Sequence, residues 1–315
     1  MGRYITQRIL YVLPTLILAS MITFALGLYG PGDPLRDLMG QAYFDPAARE
    51  RTRHALGLDR PFFEQYVDWL SGLAQGQLGH SLMSQQRSIN LMIAAAWPKT
   101  AQLGLVAMLF WFVSGVGLGI VAALNHNKWI DYAIVASTVA LAAFPPFVLG
   151  PMLLILFSLT FPVIKAPFGW EGLWSPKILM PAFVIAAVSI ADLTRQMRSS
   201  ILEVLGQDYI RTARSKGLSR KLIISRHVLR NAFNPILTIV VTSVSWFMGG
   251  ALFAELIFNI HGFGMLTYQG VIGLDYPVLV VTTMLVAVIT MLMNVLVDIL
   301  YGVLDPRVSL EGRGK

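Results

Sequence analysis

The sequence predicts an all-α integral membrane protein that crosses the bilayer six times. Three observations lead there. Of 315 residues, 56% are hydrophobic and only 13% charged, about half the ~25% charge of an ordinary soluble domain. Long uncharged runs recur along the chain, and a spanning helix needs ~20 such residues. Basic residues lie between those runs rather than on a face of their own, so the net charge of +7 reads as a topology signal and not as a nucleic-acid footprint. A soluble globular enzyme is excluded. The chain has no cysteine, which removes disulfides, thiolate nucleophiles, iron–sulfur clusters and thiolate zinc sites.

Each span follows from its flanks, because a charge at the bilayer centre costs at least ~2.5–3.5 kcal/mol. The first is Ile9–Leu28, between Arg8 and Asp33. It is too long for the apolar core of a cleaved signal and lacks a small-x-small site after it. Residues 30–98 open with Gly30-Pro31-Gly32-Asp33-Pro34, strong turn chemistry, then mix acidic residues with arginines and include the amphipathic stretch Pro61–Leu73. That pattern predicts a small folded extracytoplasmic subdomain. The second span is Ala101–Leu124, where Gly104, Gly115, Gly117 and Gly119 allow close helix approach. The third, Ile130–Leu159, carries Pro145, Pro146 and Pro151 and is expected to kink, since each proline removes a backbone hydrogen bond. The fourth is Ser175–Thr194 with Asp192 near its cytoplasmic end, the fifth Ala232–Ala254 and the sixth Pro277–Tyr301. The chain thus divides into an N-terminus and first span (1–29), the subdomain (30–98), and a five-helix core (99–315) holding a cytoplasmic loop, 196–231. Lysines and arginines concentrate on the side that carries both termini and this loop, which places that side in the cytoplasm.

Catalytic chemistry is missing from the pattern. There is no G-x-x-x-x-G-K-[ST], H-E-x-x-H or G-x-S-x-G. His54, His80, His126, His227 and His261 lie outside the span cores without metal-ligand spacing and read as structural or surface residues. Asp192 and Arg195, at i and i+3, read as an intrahelical pair, and Asp298 as an acid hydrogen-bonded inside the bundle. No catalytic, cofactor-binding or metal residue is assigned. The informative segment is the loop. Gln207-Asp-Tyr-Ile-Arg-Thr-Ala-Arg-Ser-Lys-Gly217 predicts a short helix with Asp208 as N-cap and Gly217 as the residue just past its end. Leu222, Ile223 and Ile224 follow, then Arg226, His227 and Arg230. A loop that merely rests on anionic headgroups needs no particular sequence. A capped helix flanked by apolar anchors suits docking to a protein groove.

Tyr209-Ile-Arg-Thr-Ala-Arg-Ser-Lys-Gly-Leu218, followed by Arg226-His-Val-Leu-Arg-Asn-Ala232, resembles the cytoplasmic coupling loop of ABC importer permeases of the dipeptide/oligopeptide/nickel family, in particular the first, peptide-type permease subunit. Further strings stand in order: Pro31-Gly-Asp-Pro34, Leu56-Gly-Leu-Asp-Arg-Pro61, Gln65-Tyr66, Trp69-Leu70, Glu255-Leu-Ile-Phe258, Asp275-Tyr-Pro277 and Asp305-Pro-Arg307. The chain departs from the family pattern at Arg230, His261 and Leu274.

The resemblance implies the type I ABC importer fold with an extracytoplasmic insertion after the first helix, in a bacterial or archaeal cytoplasmic membrane. It implies uptake of dipeptides or oligopeptides, with nickel chelates, glutathione and opines as alternatives served by similar permeases. Its implied partners are a second homologous permease, two ATPase subunits that bind ATP and Mg, an extracytoplasmic solute-binding protein and membrane lipid, with no nucleic acid. The implied ATPase contact is Tyr209, Arg211, Thr212, Ala213, Arg214, Lys216, Gly217 and Leu218. Asp33, His261 and Asp275 are the candidates for touching the binding protein. An ion channel, a proton-coupled carrier or a non-transporting membrane scaffold are the alternatives of other classes.

Overall fold

A computed structural model of the chain describes residues 2–29, 34–84, 87–161, 165–249 and 251–304. Among them every regular element is helical, apart from an isolated bridge between His80 and Ser88. In chain order the α-helices are α1 (Gly2–Tyr29), α2 (Pro34–Met39), α3 (Pro46–Ala55), α4 (Phe62–Ala74), α5 (Ile89–Leu124), α6 (Trp129–Ala142) and α7 (Pro146–Leu154). They continue as α8 (Leu179–Leu205), α9 (Asp208–Ser215), α10 (Arg220–Leu222), α11 (Leu229–Gly249), α12 (Leu252–Ile257), α13 (Phe263–Ile272) and α14 (Tyr276–Leu304).

Three stretches are long and apolar enough to cross a membrane, Ile89–Leu124, Pro176–Leu205 and Tyr276–Leu296, and Trp129–Ala142 with Pro146–Thr160 makes a fourth if that bent pair is one span. The pair bends by 102°, where the sequence expects a kink. Ala143 and Phe144 leave the helix, Pro145 stands at the N-cap, and Pro146 starts α7, where its missing N–H costs no helical bond.

Several boundaries differ from expectation. The second span is the C-terminal part of a 36-residue helix, about 54 Å long at 1.5 Å per residue, and the whole helix outruns a ~30 Å hydrocarbon core. The fourth does not stop at Thr194. Residues 196–205 continue α8 and 229–231 belong to α11, which shortens the connection between them. Charge ends a membrane-buried stretch but not a helix, because arginine and glutamate are good helix formers outside the bilayer. The fifth helix ends at Gly249, and α12 is a separate short helix after it. Pro31–Asp33, Asp305–Arg307 and the side chain of Asp298 lie outside the described residues.

The described chain clusters into two compact units, Met1–Thr100 with His261–Lys315, and Ala101–Ile260. In the first, α1 packs along α14, closely enough that a Cβ on Gly27 would stand 2.7 Å from Val280. Segment α4 lies against α1 through Phe24, Phe62, Tyr66 and Trp69, whose ring centroids are 5.5–6.2 Å apart. The Tyr66 hydroxyl is 2.7 Å from Ser20 Oγ. Trp97 meets Phe263 edge to face at 5.4 Å, and Thr100 Oγ1 accepts from Phe263 N at 2.7 Å. His54 hydrogen-bonds Asp59 at 2.6 Å, which raises the imidazole pKa above its usual value and lowers that of the carboxyl.

The second unit is organised around α8, the helix richest in buried residues. It packs against α6, α7, α11 and α12. Of the glycines expected to allow close approach, Gly115 and Gly119 of α5 do so. A Cβ on Gly115 would meet Leu193 at 2.8 Å, and one on Gly119 would meet Met197 at 2.6 Å, whereas Gly117 faces open space. The buried Trp111 donates its indole N–H to Ser189 O at 2.9 Å.

Candidate functional site

Helix α9 is amphipathic over two turns. Ile210 and Ala213, at i and i+3, are buried in the same apolar cluster as Met197, Ile201, Ile223 and Val228. Leu218 packs against that cluster. The opposite face exposes Tyr209, Arg211, Thr212, Arg214 and Lys216. A tethered apolar underside therefore holds out a cationic upper face. Arg211 lies 3.6 Å from Asp208 on the same helix, with both side chains exposed, a pair of the kind that contributes little to stability. The Tyr209 hydroxyl accepts a hydrogen bond from Asn231 Nδ2 at 3.1 Å, and Asn231 also donates to His227 O.

The helix ends differ from expectation at one terminus. Asp208 is not the N-cap. Gln207 holds that position in extended backbone without a side-chain cap, and Asp208 is the first helical residue. There its carboxylate still faces the positive end of the helix dipole. At the other terminus Gly217 has φ +77°. Leu218 N donates to Ala213 O at 3.3 Å and Gly217 N to Arg214 O at 2.9 Å, the paired bonds of a Schellman ending. Ser219 Oγ then accepts from Leu222 N at 3.4 Å to start α10. Between the end of α5, the end of α8 and this loop lies a cavity of about 580 Å³, lined in part by His126, Arg214, Arg220, Leu205 and Leu218.

On the other candidate surface, His261 is exposed, and its carbonyl accepts from Lys99 Nζ at 3.1 Å. Asp275 is buried. Its carboxylate accepts from the Ser81 hydroxyl, from Leu82 N at 3.1 Å and from Met83 N at 3.4 Å. An inward carboxylate with three donors ties the turn at 81–84 to the start of α14 and is withdrawn from surface contact. Asp33 lies outside the described residues.

One group of residues was not singled out from the sequence. Asp131, in the first turn of α6 and 1% exposed, receives both arms of Arg198 from α8, Nε at 2.6 Å and Nη2 at 2.7 Å. Asn127 N donates to the same carboxylate at 3.1 Å, and Arg198 Nη2 is 3.0 Å from His126 Nδ1. The signal was an acid inside an otherwise uncharged run, which a flank-based reading of the third span passed over. The expected pair of Asp192 and Arg195 does form and is exposed. Among the described residues no cluster of three or more metal-ligating side chains occurs.

Residues 115–310 match the family described as the binding-protein-dependent transport system inner membrane component, and residues 1–101 match its N-terminal counterpart. The chain belongs to this family of permeases. The di/tripeptide transport system permease protein DppB of Pseudomonas aeruginosa is 35% identical to this permease, covering 97% of the chain and 98% of that protein. The oligopeptide transport system permease protein OppB of Haemophilus influenzae is 33% identical over 98% and 99% of the two chains. The dipeptide transport system permease protein DppB of Bacillus subtilis is 34% identical over the full length of both. Among solved structures, an inward-facing MetNI methionine ABC transporter chain superposes with a TM-score of 0.56 at 15% identity, covering 68% of this permease and 97% of that chain. That likeness is one of fold.

Proposed function

We propose that this permease is one membrane-spanning half of an ATP-driven importer of dipeptides or oligopeptides, with α9 as the element that receives force from the ATPase partner. The observation that carries the reading is the construction of α9: an anchored apolar face, an exposed cationic face and an end held by Gly217, in a chain of this family. The names of its relatives support peptide as the substrate class. In this reading the chain crosses the membrane six times with both termini in the cytoplasm, residues 30–98 form an extracytoplasmic subdomain, and the permease itself catalyses nothing. Two ATPase subunits bind ATP and Mg, and a second homologous permease completes the path. A solute-binding protein delivers peptide to the outer face near Asp33 and His261. Closure of the ATPases pushes on Arg211, Thr212, Arg214 and Lys216, and α8, linked to α9 by only Gly206 and Gln207 in sequence and by shared burial of Ile210 and Ala213, carries the displacement into the bundle. That switches the path between outward and inward openings.

The test is reversal of charge at Arg211, Arg214 and Lys216 to glutamate together. Membrane insertion should be normal, while co-purification of the ATPase and ATP-driven uptake of a labelled dipeptide in proteoliposomes are both lost. Retention of both refutes the docking assignment. Uptake of chelated nickel without peptide refutes the substrate assignment.

A further inference from the structure

Docking at α9 explains how force enters the chain, and it leaves open what keeps α8 from sliding past its neighbours when pushed. Toward its cytoplasmic end α8 makes two polar ties. Ser200 Oγ donates to Ala232 O of α11 at 2.9 Å in a buried position. Arg198 forms its two-armed pair with Asp131 of α6. Asp131 is 1% exposed and its carboxylate is surrounded by the guanidinium, the Asn127 N–H and His126. Asn127 holds φ +61°, a conformation asparagine tolerates better than most residues, and in it the backbone N–H points at the carboxylate.

We infer that Arg198, Asp131 and His126 act as a clamp: positioning residues that make the cytoplasmic ends of α6 and α8 move as one body when α9 is displaced. The physical reason lies in the geometry. Two planar forks joined by parallel hydrogen bonds resist rotation and sliding in a way that apolar contacts do not. Pulling them apart would leave a buried charge uncompensated, which is far costlier than moving both helix ends together. Helix α6 leads directly to the 102° bend before α7, and a Cβ on Gly150 of α7 would stand 2.9 Å from Ile257 of α12. Displacement of α8 is thereby delivered to the broken span instead of being lost at its end. The pair is 67 residues apart in sequence and joins two helices through side chains alone, which suits a mechanical part in transport.

The inference rests on α9 as the point of force entry, and the test separates the two. The variants are Arg198→Lys, which keeps charge and loses the fork, and the neutral double replacement Asp131→Asn with Arg198→Gln. Asp192→Asn with Arg195→Gln, an exposed pair on the same helix, is the control. Each full-length permease is assembled with its partner permease and ATPases in proteoliposomes, and peptide uptake and ATP hydrolysis are measured together. Both clamp variants should insert, bind the ATPase and hydrolyse ATP, while peptide moved per ATP falls about five-fold or more. The control should keep the wild-type ratio. A wild-type ratio in both clamp variants overturns the inference. So does failure of both to accumulate in the membrane, which makes the cluster a folding element. Failure of the docking assignment shows itself separately, as ATPase binding that survives the α9 charge reversals.

Discussion

Replacement of Gly217 tests the proposed coupling role of α9 through a single backbone angle. Its φ of +77° lies in the left-handed region, and a Cβ placed there would meet nothing within 4 Å. A Cβ at 217 therefore meets no neighbour within the chain, and its cost there is conformational, about 1–2 kcal/mol and highest for a β-branched residue. Of the two bonds that close α9, the one from Leu218 N to Ala213 O depends directly on that angle. A loss of one to two kcal/mol lowers the ratio of closed to open ends roughly five- to thirty-fold. Ile210 and Ala213 remain buried and keep the helix tethered, so insertion into the membrane should be untouched. In Gly217→Val, recovery of the ATPase in detergent pull-downs and ATP-driven peptide uptake should fall together, by at most that factor. Gly217→Asn, which tolerates the left-handed region, should lose much less. Wild-type binding and uptake in Gly217→Val would refute the reasoning, and so would equal losses in the valine and asparagine variants.

Gly119→Val should lower the thermal stability of the purified permease in detergent, because its Cβ would lie 2.6 Å from Met197 and 2.8 Å from Thr194 O, and overpacking of this kind costs about 1–3 kcal/mol. Gly117→Val, two residues away and facing open space, should leave the melting temperature unchanged; equal melting of the two variants counts against the α5–α8 packing. Asp275→Ala removes the acceptor for the buried Ser81 hydroxyl and the part-buried Leu82 N and Met83 N, and stranding a buried donor costs about 1–3 kcal/mol. It should lower the melting temperature and speed proteolysis at 81–84, and unchanged cleavage there contradicts the latch. Because the chain has no cysteine, single cysteines report topology cleanly. Those at Asn127 and Ser219 should react only with cytoplasmic reagent and those at Gln75 and Gln269 only with external reagent, and external labelling of Ser219 would reverse the orientation.

The local elements were legible in the sequence because their causes are local. Apolar runs mark α5, α8 and α14 through the cost of placing charge in hydrocarbon, and adjacent prolines mark the bend between α6 and α7. Pro61–Leu73 shows its helical period, and Gly217 follows a run of helix formers where a left-handed residue is needed. The helix ends were read less well. Charge does not stop α8, which runs on to Leu205, and Asp208 is the first helical residue and not the N-cap, because capping preference alone does not distinguish those two positions. Partners distant in sequence were decided by the tertiary structure. Nothing within a few residues of Asp131 announces Arg198, and nothing near Asp275 announces the turn at 81–84; the first pairing exists because α6 packs on α8, the second because that turn lies against the start of α14. Packing likewise decides that Gly115 and Gly119 are contact residues while Gly117 faces open space. A sequence states which groups can pair, but burial and direction determine which of them do, and these arise from packing.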